Sequence, residues 1–279
     1  MKSNFIQRSI TGLLFVLLLV GSIVYSPITF VALFSVISAY TTYELSGLLN
    51  NSGKYKINRL ISSLGSFYLF IAFASYVSDL TTSEIFIPYL GIILYLIISE
   101  LYLNQDNPIG NLAGTMLTQI YVGLNFALIN TICFIVKDGG LHIAYYNIMP
   151  LALFIFIWVS DSGAYCVGST IGKNKLFPRI SPNKSWEGSI GGALFAVIAA
   201  LVIGYFSPIL NYAQWVGFAL VVVIFGTWGD LTESLFKRQL GIKDSGNILP
   251  GHGGFLDRFD STILAIPAVV FYLYLTRLF

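Results

Sequence analysis

Charge is what this chain has least of. Only 10% of its 279 residues are Asp, Glu, Lys or Arg, where soluble domains carry about 25%. Histidine occurs twice and cysteine twice. Cys133 and Cys166 each sit inside an apolar run, without metal-ligand spacing. That scarcity excludes a disulfide framework and a Cys/His zinc site, and both thiols are expected to be buried and free. Fifteen Lys and Arg against thirteen Asp and Glu give a net charge of +2. No basic stripe stands outside short loops, so a nucleic-acid surface is excluded. Also lacking are a repeat of 20–50 residues and a polar linker between soluble domains.

Apolar residues fill the space that charge leaves. They make up 56% of the chain, with a mean hydropathy of +0.78. Crossing the hydrocarbon core takes about 20 mostly apolar residues. Nine runs meet that rule, near 9–26, 28–49, 59–78, 83–103, 112–136, 146–170, 186–206, 212–236 and 259–278. The first has the basic start and apolar core of a signal peptide but no clear small-x-small cleavage site. More spans follow it, so it reads as a retained transmembrane helix. The fifth starts in "NQDNPIGNLAGTMLTQ", too polar to face lipid throughout. The expected fold is all-α: a polytopic integral membrane protein of about nine transmembrane helices, forming one membrane-embedded domain over 1–279.

The few charges set the orientation. With the N-terminus in the cytoplasm, 13 of the 15 Lys and Arg fall on the cytoplasmic side, leaving only Lys137 and Arg277 outside. That is a strong positive-inside bias. It places the polar segments 171–185 and 237–258 in the cytoplasm.

Acids inside apolar runs are costly and usually face an interior cavity. Asp161 lies well inside the sixth run and Glu187 opens the seventh. Asp230 and Glu233 lie near the end of the eighth, and Asp257 and Asp260 open the ninth. On a helix, Asp230, Glu233, Ser234 and Lys237 share one face, as do Asp257, Asp260 and Ser261. A short carboxylate such as Asp161 cannot snorkel far to water. Carboxylates gathered at a membrane boundary suit Mg²⁺, which takes oxygen ligands and often completes its shell with substrate phosphates. Nearby Lys and Arg suit the phosphates themselves. "GHGG" (251–254) can bring backbone N–H groups to an anion, with His252 as a phosphate hydrogen-bond donor. Lys184 reads as a phosphate contact, with Glu187 three residues on holding its ammonium.

The stretch "SLFKRQLGIKDSGNILPGHGGFLDRFD", Ser234 to Asp260, resembles the signature of the phosphatidate cytidylyltransferase (CDP-diacylglycerol synthase) family, and every position of that pattern is filled. "SDSGAY" (160–165) and "SPNKSWEG" (181–188) resemble family segments in the same order. The catalytic signature thus spans 158–261, and residues 1–140 carry no assigned role. The resemblance implies CMP transfer from CTP to phosphatidate, giving CDP-diacylglycerol and pyrophosphate. It implies Mg²⁺ at Asp230 and Asp257, with a monovalent cation such as K⁺ beside it. It also implies a homodimer, and the charge bias then sets the active site of this integral cell (inner) membrane protein on the cytoplasmic side. On this reading Asp161, Lys184, Asp230 and Asp257 are catalytic. Substrate contacts fall to Lys184, Ser185, Glu187, Ser234, Lys237, Arg238, Lys243, Asp244, His252, Gly253, Gly254, Arg258 and Asp260. Two alternatives stand beside it: a cytidylyltransferase for another lipid phosphate, and a polytopic transporter whose acids line an ion path.

Overall fold

The computed structural model describes residues 2–137, 142–242, 244–246 and 253–276. Among them, eight helices are long and apolar enough to cross a membrane, preceded by a shorter apolar helix, Ile10–Tyr25. All nine expected spans are therefore helical, and the chain is an all-α polytopic membrane protein. Two short antiparallel hairpins are the only strands among the described residues.

The chain divides into two compact units, Met1–Tyr145 with Leu240–Phe259, and Tyr146–Gln239 with Asp260–Phe279. The first unit contains α1 (Lys2–Tyr25), α2 (Pro27–Asn51), α3 (Arg59–Val77) and α4 (Ile87–Leu103). Local chemistry fixes where these helices start. The Thr29 N–H donates to Ser26 Oγ at 3.1 Å, the Ser26 N–H donates back to Thr29 Oγ1 at 3.2 Å, and Pro27 takes the first helical position. That is a capping box followed by a residue whose missing N–H is not needed there. Asn58 caps α3 by accepting the Ile61 N–H at 3.1 Å, and Asn107 caps the helix that starts at Pro108 by accepting the Gly110 N–H at 3.0 Å.

The fifth span is one helical stretch in three parts. They are α5 (Pro108–Thr118), a π-helical segment Gln119–Leu124, and α6 (Asn125–Cys133). It ends earlier than the sequence suggested, because residues 134–137 form strand β1 (Phe134–Lys137), paired with β2 (His142–Tyr145). Within the helix, Asn111, Thr115, Thr118 and Gln119 are buried in protein, whereas Asn104, Asp106 and Asn107 ahead of it are exposed. Gln119 Nε2 donates to the Ser62 carbonyl at 2.8 Å, and the Thr42 hydroxyl donates to Ser66 Oγ at 2.8 Å. Between helices, such bonds supply the cohesion that the hydrophobic effect cannot supply in lipid. Phe30, Phe34, Phe70 and Phe126 are fully buried around them. By contrast α4 buries only Leu96, as a helix facing lipid on most sides should.

The second unit contains α7 (Ile148–Ile171), the hairpin β3 (Lys175–Phe177) and β4 (Ser181–Ser185), α8 (Trp186–Phe206), α9 (Tyr212–Gln239) and most of α10 (Leu256–Leu275). Helices α7 and α8 touch through small residues. A Cβ at Gly192 would lie 2.6 Å from the Ser160 carbonyl oxygen and 3.3 Å from Ala164 Cβ. This is close helix approach through a small-residue seam. Cys133 is buried as expected, but Cys166 is exposed. The second half of α7 carries Asp161, Ser162, Ser169 and Thr170, all exposed, and Cys166 lies one turn from both Ser162 and Thr170 on that open side.

Replacing Gly192 with Leu should destabilise the protein by about 1–3 kcal/mol through overpacking. Gly21→Leu should be near neutral, since nothing lies within 4 Å of a Cβ there. Thermal unfolding of both variants in detergent checks the difference; equal midpoints would contradict the seam.

Candidate active site

In the second unit, the C-terminal half of α7, the β3–β4 hairpin and the start of α8 enclose a cavity of about 530 Å³. Asp161, Tyr165, Asn183, Lys184 and Ser185 are among its lining residues. Asp161 comes from α7 and is exposed to this opening rather than to packed protein. Lys184 comes from β4. Ser185 ends the strand and caps α8, accepting the Gly188 N–H at 3.2 Å while itself buried. The change from strand to helix at Ser185 therefore fixes where Lys184 projects.

The partner of Lys184 differs from the expected one. Its ammonium lies 2.5 Å from Asp230 Oδ2, with the two side chains 27% and 30% exposed. Glu187 instead accepts from Asn174, from the backbone N–H at 3.1 Å and from Nδ2 at 2.6 Å. The i, i+3 argument fails because Lys184 is on a strand, where residues three apart do not share a face. In energy, a partly exposed pair is worth about 0–1 kcal/mol, so Lys184–Asp230 matters as a positioned charge more than as a clamp.

Asp230 sits on α9, where the Ser234 hydroxyl donates to Oδ1 at 3.2 Å. A Cβ at Gly229 would run into the Asp260 carbonyl oxygen, so α9 and α10 meet at this level. Asp260 is within electrostatic reach of Asp230, Lys184 and Lys237, and Asp161 of Lys184 and Asp230. Three carboxylates, Asp161, Asp230 and Asp260, thus gather with Lys184 in one unit.

Glu233 and Lys237, one turn apart on α9, form an ion pair of 2.8 Å in which Glu233 has no exposure and Lys237 has 15%. Lys237, expected at substrate phosphates, is engaged by its own helix. Arg238, the next residue, is exposed.

The first unit holds the other part of the signature. Asp257 Oδ2 accepts the Ser245 N–H and the Gly254 N–H, each at 2.9 Å. The Phe255 N–H donates to Glu44 Oε2 at 2.8 Å, and the Ser245 hydroxyl donates to Glu44 Oε1. The backbone at 254 and 255 does serve anions, as the glycines suggested, but those anions are the protein's own carboxylates. Gly253 has φ of +78°, the left-handed conformation that favours glycine. Asp244 and Arg258 are exposed. Lys243 and His252 lie outside the described residues.

Glu44 is the residue the sequence reading missed. It is the single acid of α2, 8% exposed, and "YTTYELSG" offers no second charged residue to mark it. Its signal was the one used elsewhere, an acid within a span.

Among the described residues, no three His, Cys, Asp or Glu side chains group closely enough to hold a metal by themselves. The donors at hand in the second unit are hard carboxylate oxygens. They suit a Mg²⁺ held by one or two carboxylates and completed by substrate oxygens.

A model described as "Cytidylyltransferase family" matches residues 6–276. A protein named phosphatidate cytidylyltransferase from Staphylococcus saprophyticus is 36% identical over 241 residues, covering 84% of this chain and 86% of that relative. One of the same name from Staphylococcus aureus (strain COL) is 43% identical over 157 residues. The aligned stretch spans little more than half the length of that relative, 56%. A third so named, from Haemophilus influenzae, is 41% identical over 156 residues, 52% of this chain and 54% of the relative.

The Lys237–Glu233 pair makes a measurable demand. Lys237→Met leaves a fully buried carboxylate without that cation, a loss of about 3–5 kcal/mol. Folded yield and thermal stability should fall sharply, while Arg238→Gln should leave both unchanged. Equal stability of the two variants would remove the structural role of the pair.

Proposed function

The chain belongs to the cytidylyltransferase family, and from that premise we propose that it transfers CMP from CTP to phosphatidate, releasing pyrophosphate and forming CDP-diacylglycerol. The observation that carries the reading is the cavity of about 530 Å³ lined by Asp161 and Lys184, with Lys184 paired to Asp230. It joins a cation suited to phosphate with carboxylates suited to Mg²⁺. The three relatives cited bear the name of that activity.

The chemistry asks for little proton transfer. A phosphomonoester has a second pKa of about 6, so the phosphatidate phosphate is largely a dianion at neutral pH. Its oxygen attacks the α-phosphorus of CTP, the new P–O bond forms, and the bond to the β-phosphate oxygen breaks as pyrophosphate leaves. What remains for the protein is to relieve repulsion between two anions, hold them in line and favour the departing charge. Lys184, on a short strand fixed by the Ser185 cap, offsets phosphate charge at the cavity. Ser234 orients Asp230 through Oδ1. Asp161 and Asp260 set the local field around Lys184.

We assign Asp230 to Mg²⁺, which when bound supplies electrostatic stabilisation of phosphate oxygens. We assign Asp257 to metal as well, although its Oδ2 already accepts two backbone N–H groups. The resemblance further supports a monovalent cation such as K⁺ and a homodimer. The distribution of Lys and Arg supports an active site facing the cytoplasm, where CTP is, in the cell (inner) membrane.

Membranes containing the protein, given phosphatidate and CTP labelled at either the α- or the γ-phosphate, test chemistry and orientation together. The α-label should enter chloroform-soluble lipid and the γ-label should stay aqueous as pyrophosphate. Incorporation should occur in inverted vesicles and not in sealed right-side-out ones. The rate should fall below about pH 6, where phosphatidate becomes a monoanion. γ-Label in lipid would contradict CMP transfer, and activity in right-side-out vesicles would contradict the orientation.

A further inference from the structure

Three contacts gather on one side chain that the proposed reaction does not use. Glu44 lies on α2, 201 residues before Ser245 and 211 before Phe255, and is almost wholly buried. Its Oε1 accepts the Ser245 hydroxyl and its Oε2 the Phe255 N–H, with the Leu256 N–H beside it. One turn earlier on α2, the Tyr40 ring packs against Phe255 with 5.2 Å between centroids. The same short segment is also tied internally, since Asp257 accepts from both Ser245 and Gly254.

The fit leaves no slack. A Cβ built on Gly254 would fall within the Glu44 carboxylate, and one on Gly246 would lie 2.9 Å from Glu44 Oε1. Two glycines of the signature thus border one carboxylate. The backbone N–H groups that open α10 are the orphan donors any helix start leaves unpaired, and they favour an anion. Here they are met by a side chain from a different helix, so the angle at which Asp257 is presented depends on α2.

We propose that Glu44 is a positioning residue for the reaction: it fastens the Ser245 and Gly254–Asp257 segments to α2 and so sets the pose of the Asp257 carboxylate. It acts through Asp257 and touches no substrate. This rests on the CMP-transfer reading for its effect on rate, but not for its effect on the segment itself.

The steric relation between Glu44 and Gly254 gives a test by rescue. Gly254→Ala should lower kcat by about 30-fold or more, with KM for CTP changed less than about threefold, because the added methyl displaces the carboxylate. Glu44→Asp withdraws the carboxylate by one methylene. The Glu44→Asp/Gly254→Ala double variant should therefore recover kcat about tenfold over Gly254→Ala alone, within the coupling found for side chains in contact. Hydrogen exchange of peptides covering 253–258 supplies a readout that needs no activity. In Glu44→Gln those amides should exchange about tenfold faster, the loss of one charge-assisted bond, while α3 and α6 stay protected. Multiplicative losses in the double variant, or unchanged exchange in Glu44→Gln, would overturn the proposal. A wild-type protein that made no CDP-diacylglycerol would sink the reaction and leave the exchange result standing.

Discussion

A carboxylate on a membrane-spanning helix must be met by a cation, a donor or water, because hydrocarbon offers none of these. In the second unit that constraint is answered by Lys184, 2.5 Å from Asp230. Much of the local architecture follows from the need to deliver that ammonium. β4 carries it, Ser185 ends the strand and starts α8, and glycines along α8 let α7 come close enough to bring Asp161 to the same cavity. The result is a concentration of charged groups at one cavity.

The same constraint is answered differently where no cation is involved. Glu44 is met by the N–H groups that open α10 and by the Ser245 hydroxyl, and Asp257 by two further backbone N–H groups. Glu233 follows a third course, taking Lys237 from the next turn of its own helix. Positioned ammonium, oriented backbone and local ion pair are three solutions to one desolvation problem. Of these groups, Asp161 and Lys184 are the ones that line the cavity.

How much of this was legible beforehand depended on contrast. With so little charge in the chain, Asp161, Lys184, Asp230 and Asp260 stood out against apolar runs, and the structure brings all four together in one unit. Helix existence was equally readable, down to the polar fifth span whose Asn and Gln side chains prove to be buried. Pairing was not readable. Lys184 was matched to Glu187 because a helical turn was assumed where a strand ends. The signature glycines were matched to a substrate anion because nothing in the local sequence announced that Glu44, two hundred residues earlier, would occupy the space beside Gly254. Long-range partners leave no periodicity.

The central claim is that Lys184 and Asp230 work as one unit in CMP transfer. A double-mutant cycle on single-turnover rates measures this directly, using Lys184→Gln, Asp230→Asn and the double variant in folded, membrane-inserted protein. Residues that act together lose their function together. Each single variant is expected to lower the rate by about 100-fold or more, and the double variant to be no slower than the worse single. Losses that multiply, or a single variant that keeps wild-type rate, would contradict the account.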